Sequence, residues 1–350
     1  REGEAEAIGD GSALFNGSSD YIEIANSSAI NIAGDMTITA WVNPSGTTSF
    51  RPFVFKRDAG GTNYQLYMDS SATPKLRFWD GSGADSPDGS LVKDEWQHIA
   101  ISIDSGVTDG SIFYHNGIAD SNTATFTISA DDAPLLLGKH SENDPETFAD
   151  MKMSQVGIWR GVLTQAQIQA HMEATSYATI PASVKSTLGA EKVTLLSNWT
   201  GSDYTSTITA STNTINLEAD DSSVNATKYL SGGGGIVTGT TNLSAGLYKI
   251  SFDASWTNAP STKIFTWYSD GSTSTNETIS SGSHLFYKVV DTANGNSIFN
   301  IQMNNANQGI TLSNISIKEV TNDLVGYWGL DADNSMKALD FDGTGDTIEV

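Results

Sequence analysis

The chain has 350 residues, enough for two domains that each bury a core, and only 17% of its residues are charged. Its formal net charge of −23 repels phosphate backbones and anionic lipids, so nucleic acid and membrane surfaces are disfavoured as partners. The sequence contains no cysteine, which excludes disulfides and thiolate metal sites, and no apolar run approaches the roughly 20 residues that span a bilayer.

The first part of the chain reads as strands and turns. Residues 1–12 are polar and acidic and predict a tail or linker, whereas residues 13–174 predict a β-sandwich. Apolar and polar residues alternate along Met36–Val42, and Trp96–Ile103 is rich in β-forming residues. A third apolar run ends at Asn116-Gly117, which is a strong hairpin signal because both residue types tolerate positive φ.

One segment predicts a helix. Thr164 is a natural N-cap, and Gln167 three residues later completes a capping box. Leu163 precedes the cap and is placed to contact Ile168, which lies four residues before Met172 on the same helical face.

The second half predicts a further β module. Residues 175–194 read as a linker and residues 195–320 as a second β-sandwich. Every second residue of Tyr248–Trp256 is apolar, so one face of that strand is expected to be buried. The apolar phase changes at Ser313-Asn314, which predicts a bulge.

The end of the chain repeats its beginning. Phe341–Val350 matches Phe15–Ile24 at half of its positions, which indicates a repeat architecture and a fragment of something longer. Residues 321–350 are therefore expected either to begin a further module or to add strands to a neighbouring sheet, since Leu324–Trp328 is too apolar for a free tail.

The first module resembles a laminin-G-like domain of the concanavalin A-like jelly roll. The resemblance implies two curved antiparallel sheets packed face to face, with a short helix near the last strand. The motifs that carry it are Phe15-Asn16-Gly17, Met36–Val42, Glu95–Ala100, Phe113–Gly117 and Val156–Thr164. Members of this family usually begin with a strand like Leu324–Trp328, and the polar N-terminus of this chain lacks one.

The second module resembles the carbohydrate-binding-module-like jelly rolls of tailed-phage virion proteins, through Leu196–Trp199, Gly246–Phe252 and Leu312–Val320. The tandem resembles structural and host-recognition proteins of marine phages, and bacterial adhesins combine similar modules. We therefore predict an all-β protein: two antiparallel jelly-roll β-sandwich modules in tandem, followed by the opening strands of a third laminin-G-like module.

The motifs of common hydrolases are missing from the sequence. It has no His-Glu-x-x-His, no Gly-x-Ser-x-Gly, and none of the Glu-x-Asp-x-x-Glu strands that place two carboxylates beside a glycosidic bond in related glycosidases. We predict no catalytic residues and no enzymatic activity. His98 is expected to pack on a sheet face.

Sugar binding needs exposed aromatic rings near polar groups, because a pyranose stacks its apolar face on a ring. Trp79 and Asp80 adjoin a predicted loop tip, and Trp199 and Tyr204 lie near turns of the second module. These four residues are the predicted ligand-binding set, while the alternative for each aromatic is a place in the core.

The laminin-G-like resemblance also implies that a Ca²⁺ ion can be held at a rim by carboxylates and carbonyls. The candidates beside predicted strand ends are Asp20, Asp69, Asp80 and Asp150. The alternative is that these are solvated turn carboxylates without a metal.

The functional expectation is a non-enzymatic structural or adhesion protein of a virion or cell surface, extracellular in location. Its partners would be glycans or other surface and virion proteins, with homo-oligomeric assembly through the C-terminal strands and no insertion into membranes. Two alternatives stay open. One is a purely structural virion or filament subunit without a sugar ligand, and the other is an accessory binding region of a secreted glycan-active enzyme.

Overall fold

The computed structural model describes a large part of the chain, in separate stretches. These are residues 11–45, 50–57, 64–87, 89–140, 147–192, 200–201, 204–209, 214–219, 228–229, 243–257, 263–268, 274–290, 299–303 and 309–330. Side chains are described in 11–45, 50–57, 64–87, 89–140, 147–192, 243–256, 276–290 and 311–330. No helix in these stretches has the length and apolar character needed to cross a membrane.

Short strands dominate, as the sequence predicts, and the all-β fold class is confirmed. The strands up to the helical segment are β1 (Ala13–Asn16), β2 (Ile22–Ile24), β3 (Met36–Pro44), β4 (Arg51–Lys56), β5 (Tyr64–Met68), β6 (Leu76–Trp79), β7 (Gly83–Asp85), β8 (Gln97–Ile103), β9 (Ser111–His115), β10 (Ile118–Ala124), β11 (Leu135–Leu137) and β12 (Asp150–Arg160). The helices are α1 (Gln165–Met172), a 3₁₀ turn (Tyr177–Thr179) and α2 (Ala182–Lys185).

The remaining strands follow the second helix. They are β13 (Ser186–Glu191), β14 (Thr200–Gly201), β15 (Tyr204–Thr209), β16 (Thr214–Ala219), β17 (Lys228–Tyr229), β18 (Gly246–Thr257), β19 (Lys263–Tyr268), β20 (Ser274–Thr278), β21 (Gly282–Val290), β22 (Phe299–Met303) and β23 (Gly309–Trp328). The segment 175–194, predicted as a linker, contains a 3₁₀ turn, α2 and β13. Ile180 and Val184 of this segment are buried in an apolar cluster of the first unit.

The chain divides into two compact units. The first comprises Arg1–Thr187 and Thr321–Val350, and the second comprises Leu188–Val320. Strand β23 therefore belongs to the second unit up to Val320 and to the first unit from Thr321 onward. We call Thr321–Trp328 the closing strand.

Two antiparallel sheets form the sandwich of the first unit. In one, which we call the helix-covered sheet, the strand order is β10-β9-β8-β3-β12 followed by the closing strand. The other, which we call the aromatic sheet, has the order β2-β11-β4-β5-β6-β7. Alternate residues of β3 and β8, among them Ile38 and Ile101, are fully buried, as expected for a sandwich core.

The closing strand completes the helix-covered sheet at the edge of β12. It pairs antiparallel with β12, so that Val156 opposes Trp328 and Arg160 opposes Asp323. Strand β1 pairs with the other end of the same edge, where Ala13 opposes Met153. The two strands thus run in the same direction, one after the other, along this edge of β12.

The predicted local structures are present. Asn116 and Gly117 have φ values of 47° and 74°, as a tight hairpin between β9 and β10 requires. The Thr164–Gln167 capping box begins α1, and Ile168 of that helix is fully buried with Leu163 in one apolar cluster. His98 packs on a sheet face, fully buried, as predicted.

The second unit is also built from antiparallel strands. Strand β18 lies between β21 and β23, and its alternate residues Tyr248, Ile250 and Phe252 are buried as predicted. Asn314 has a φ of 53° at a shift of the β18–β23 register, which confirms the predicted bulge. A separate four-stranded sheet has the order β17-β22-β19-β20.

Candidate functional site

Strand β5 shows how the aromatic sheet presents a second, outward face. Tyr64, Leu66 and Met68 are fully buried in the sandwich core. Because side chains alternate along a strand, Gln65 and Tyr67 lie on the opposite face. Both are also largely buried, at 3% and 9% exposure, so other side chains must pack over this outer face.

Aromatic rings do this packing. The ring of Phe50 lies 4.5 Å from that of Tyr67 and 6.1 Å from that of Phe55, measured between centroids. His140 lies 4.5 Å from Phe55, and Leu136 on the neighbouring strand closes the group. We call this outer surface, together with Gln65, Arg77 and Trp79, the aromatic face.

Charged groups border the aromatic face on β6 and β7. The guanidinium carbon of Arg77 lies 5.9 Å from the ring centroid of Trp79, within cation–π range. Asp85 lies across from Arg77 and is 3.2 Å from both Arg77 Nε and Lys75 Nζ. The side chains of Arg77 and Asp85 are 34% and 27% exposed, so this end of the face is open to solvent.

Gly83 positions the Trp79 ring. The two residues oppose each other across the β6–β7 hairpin. A Cβ atom at Gly83 would lie 2.7 Å from Trp79 Cε3 and 2.8 Å from Arg77 Nη2, closer than side-chain contacts allow. Glycine at this position therefore allows the indole and the guanidinium to pack against the backbone of β7.

Gln65 lies in the middle of the face with a free hydrogen-bond donor. Its strand neighbours are Phe55 on one side and Trp79 on the other. Its Nε2 atom is buried and has no hydrogen-bond partner. A buried, unpaired amide costs roughly 1–3 kcal/mol of stability.

The arrangement offers three kinds of contact to a ligand. Trp79 provides a partly exposed ring, Arg77 provides a planar donor, and Asp85 provides an acceptor. Burial raises the pKa of Tyr67, so its hydroxyl remains neutral at physiological pH. Stacking surfaces beside planar polar groups suit a ligand with one apolar face and a rim of hydroxyls.

The predicted ligand residues have different places. Trp79 is part of the aromatic face. Asp80 follows it but is 9% exposed, and its carboxylate accepts hydrogen bonds from the backbone N–H groups of Ser82, at 2.9 Å, and Thr127, at 2.7 Å. Trp199 and the side chain of Tyr204 lie outside the described residues, and their roles stay predictions.

The predicted calcium ligands each accept a hydrogen bond from the protein itself. Asp69 accepts from the Lys75 N–H, Asp150 accepts from the Ser45 hydroxyl, and Asp20 accepts from the Ser19 hydroxyl. Within the described stretches no group of three or more His, Cys, Asp or Glu residues is placed to hold a metal ion. A Ca²⁺ site at these aspartates stays a prediction.

Sequence reasoning missed most of the aromatic face. In Tyr64–Met68 both faces of the strand are buried, so alternation does not separate core residues from outward ones. A usable signal was the spacing Arg77-x-Trp79 followed by Gly83, since residues two apart on a strand share a face and a nearby glycine makes room for a ring.

Comparison with known proteins agrees with this architecture. Residues 16–169 match a family model described as the concanavalin A-like lectin/glucanases superfamily. None of the curated proteins matches the chain.

Several solved structures are similar at low sequence identity. Domain 4 of an extracellular arabinanase from Geobacillus stearothermophilus is 20% identical over 49% of this chain and 83% of its own, with a TM-score of 0.36. A putative carbohydrate-binding protein from Bacteroides ovatus is 17% identical over 45% of each chain, with a TM-score of 0.38. The carbohydrate-binding module of a Ruminococcus gnavus sialidase is 12% identical over 45% of this chain and 96% of its own, with a TM-score of 0.33. Residues 16–169 have the concanavalin A-like fold.

Proposed function

We propose that the first unit is a carbohydrate-binding module that uses the aromatic face. The observation that carries this proposal is the partly exposed ring of Trp79, which Gly83 leaves room for and which lies beside the partly solvent-exposed Arg77–Asp85 pair. The guanidinium would donate to ring hydroxyls while the indole stacks on the apolar face of the sugar. The match of residues 16–169 to a family that includes lectins supports the same reading.

Binding without catalysis fits the carboxylates of this sheet. Glu23 on β2 and Asp85 on β7 are the acidic residues within its strands. They lie on opposite edge strands, five strand spacings apart, which is about 24 Å at about 4.8 Å per spacing. Glycosidases need two carboxyl groups roughly 5–9.5 Å apart, so this face is suited to holding a glycan and not to cleaving it.

Replacing the indole tests the proposal. A glycan array with the full chain identifies a retained sugar, and titration calorimetry then compares the wild type with Trp79→Ala. We expect the variant to lose tenfold or more in affinity, because the stacking surface is removed. The matched control is Ile118→Ala on β10, an exposed apolar side chain of the other sheet, which should leave affinity unchanged. Binding unaffected by Trp79→Ala would contradict the proposal.

The wider role we propose is adhesion or decoration at a virion or cell surface, in an extracellular setting. The tandem of β modules and the strong negative charge support this role, since both are common in soluble surface proteins. A purely structural subunit would retain no glycan on the array. If the chain is an accessory region of a secreted enzyme, the full gene sequence should also encode a catalytic domain. Electron microscopy of the source particle or cell would locate the chain.

A further inference from the structure

We propose that the edge of β12 is an exchangeable strand-binding site, and that it accepts the closing strand of a second copy of this chain. In the structure the site is filled by the chain's own closing strand.

The closing strand buries a large apolar surface. Trp328 is fully buried and Tyr327 is 4% exposed, and Val325 and Leu330 are also buried. Tyr327 joins the apolar cluster under the helices, with its ring centroid 6.2 Å from that of His171. A β12 edge without this strand would expose both its backbone and this pocket, which favours capture of an equivalent strand.

The recognition is specific because the two strands carry the same motif. Val156-Gly157-Ile158-Trp159 of β12 pairs antiparallel with Val325-Gly326-Tyr327-Trp328. In each, the indole lies over the glycine two residues earlier: a Cβ on Gly157 or Gly326 would be 2.4 Å from the ring. Glycine is therefore required on both strands, and an unrelated strand would not fit the same register.

Both ends of the closing strand are also fixed by specific contacts. At its start, Asn322 donates to the Val184 carbonyl at 2.9 Å, and Gly161, with a φ of 101°, leaves room for the Thr321 carbonyl. At its end, the Ser154 hydroxyl lies 3.0 Å from the Gly329 carbonyl and 2.7 Å from the Gly11 carbonyl before β1. The site is thus a bounded slot that fits one segment.

The place of the closing strand in the chain makes exchange between copies feasible. All of the second unit, Leu188–Val320, separates the closing strand from the rest of the first unit in sequence. Because the cost of closing a loop rises with its length, although slowly, a strand that returns after so long an excursion keeps less advantage over an identical strand from another copy than one returning through a short loop would. Each exchanged strand leaves another slot open, so exchange yields closed rings or open chains of copies.

The test uses the full chain and a labelled peptide with the sequence Thr321–Leu330. In the variant Tyr327→Asp/Trp328→Asp, buried carboxylates expel the chain's own strand. We expect this variant to bind the peptide at least tenfold more tightly than the wild type, whose slot is filled, as measured by fluorescence anisotropy. A peptide carrying the same two aspartates is the control and should not bind. If the variant is folded and does not bind the wild-type peptide, the proposal is wrong.

A second measurement does not depend on the variant folding. Wild-type chains carrying two different tags are unfolded together in denaturant, refolded at high concentration, and analysed by native mass spectrometry. Mixed-tag oligomers that decrease when excess peptide is present during refolding support strand exchange. Monomers alone, or oligomers that the peptide leaves unchanged, would show that the closing strand stays within its own copy.

Discussion

The two sheets of the first unit both carry aromatic residues on their outer faces, but these residues differ in how far they are buried. On the helix-covered sheet, Trp159 is fully buried and its indole N–H donates to the Val184 carbonyl at 2.8 Å. On the aromatic sheet, Trp79 is partly exposed, and Gln65 beneath the aromatic cluster keeps an unpaired donor. One face is covered by the chain's own helices, and the other is partly open to solvent, with charged groups at one end.

The difference shows that the amount of apolar surface alone does not identify a binding face. Both outer faces bury large rings, but helices α1 and α2 cover one of them. What distinguishes the aromatic face is the combination of a partly exposed indole and charged groups at one end. These features indicate that the aromatic face suits a polar ligand and not a further apolar segment of protein.

The largest expected effect is on stability, at Trp159. Trp159→Ala should lower the free energy of unfolding by about 3–5 kcal/mol, because it leaves a cavity under the helices and removes one of the two hydrogen bonds that the Val184 carbonyl accepts. Trp79→Ala should cost only about 1 kcal/mol, since its ring is partly solvated already. Urea unfolding of the two variants, followed by circular dichroism, compares them directly. If the two variants lost equal free energy of unfolding, both aromatic residues would contribute equally to stability and the proposed difference between the two faces would be wrong.

The second prediction concerns pH and applies to the helix-covered sheet. His98 and His171 are fully buried with ring centroids 5.7 Å apart, and neither ring nitrogen of His98 has a hydrogen-bond partner. Burial lowers the pKa of His171 to about 3, and burial together with the neighbouring His171 and His115 lowers the pKa of His98 well below its usual value. Both rings are therefore neutral in the folded protein at pH 7.

The sign of the effect follows from proton binding. Unfolded histidines titrate near pH 6.5, so below that pH the unfolded chain binds protons that the folded chain excludes. The free energy of unfolding should be level above about pH 6.5 and should fall by about 1.4 kcal/mol per pH unit for each histidine below it, continuing toward pH 3 for His171.

Urea unfolding at pH 7.5, 5.5 and 4.5 measures this slope. The double variant His98→Leu/His171→Leu should show a shallower fall with acid than the wild type. The control His284→Gln changes a partly exposed histidine of the second unit and should keep the wild-type slope. A double variant as acid-sensitive as the wild type would assign the pH dependence to carboxylates instead.

Much of the fold follows from local patterns, and the site follows from them only in part. The Asn116-Gly117 turn, the Thr164 cap and the bulge at Asn314 were predictable because each depends on the chemistry of a few adjacent residues. The pairing of the closing strand with β12 was not, since it joins segments that the whole second unit separates. Trp79 was identifiable because it adjoins a turn. The position of Gln65 between Phe55 and Trp79 was not, because it arises only when three strands align.

The most direct test of the account is Arg77→Leu, measured for both stability and glycan affinity. Because the Arg77–Asp85 pair is partly exposed, the free energy of unfolding should change by less than about 1 kcal/mol, whereas affinity for the sugar retained on the array should fall about tenfold through loss of a charged donor beside Trp79. An Arg77→Leu variant that binds the sugar as tightly as the wild type would contradict the account.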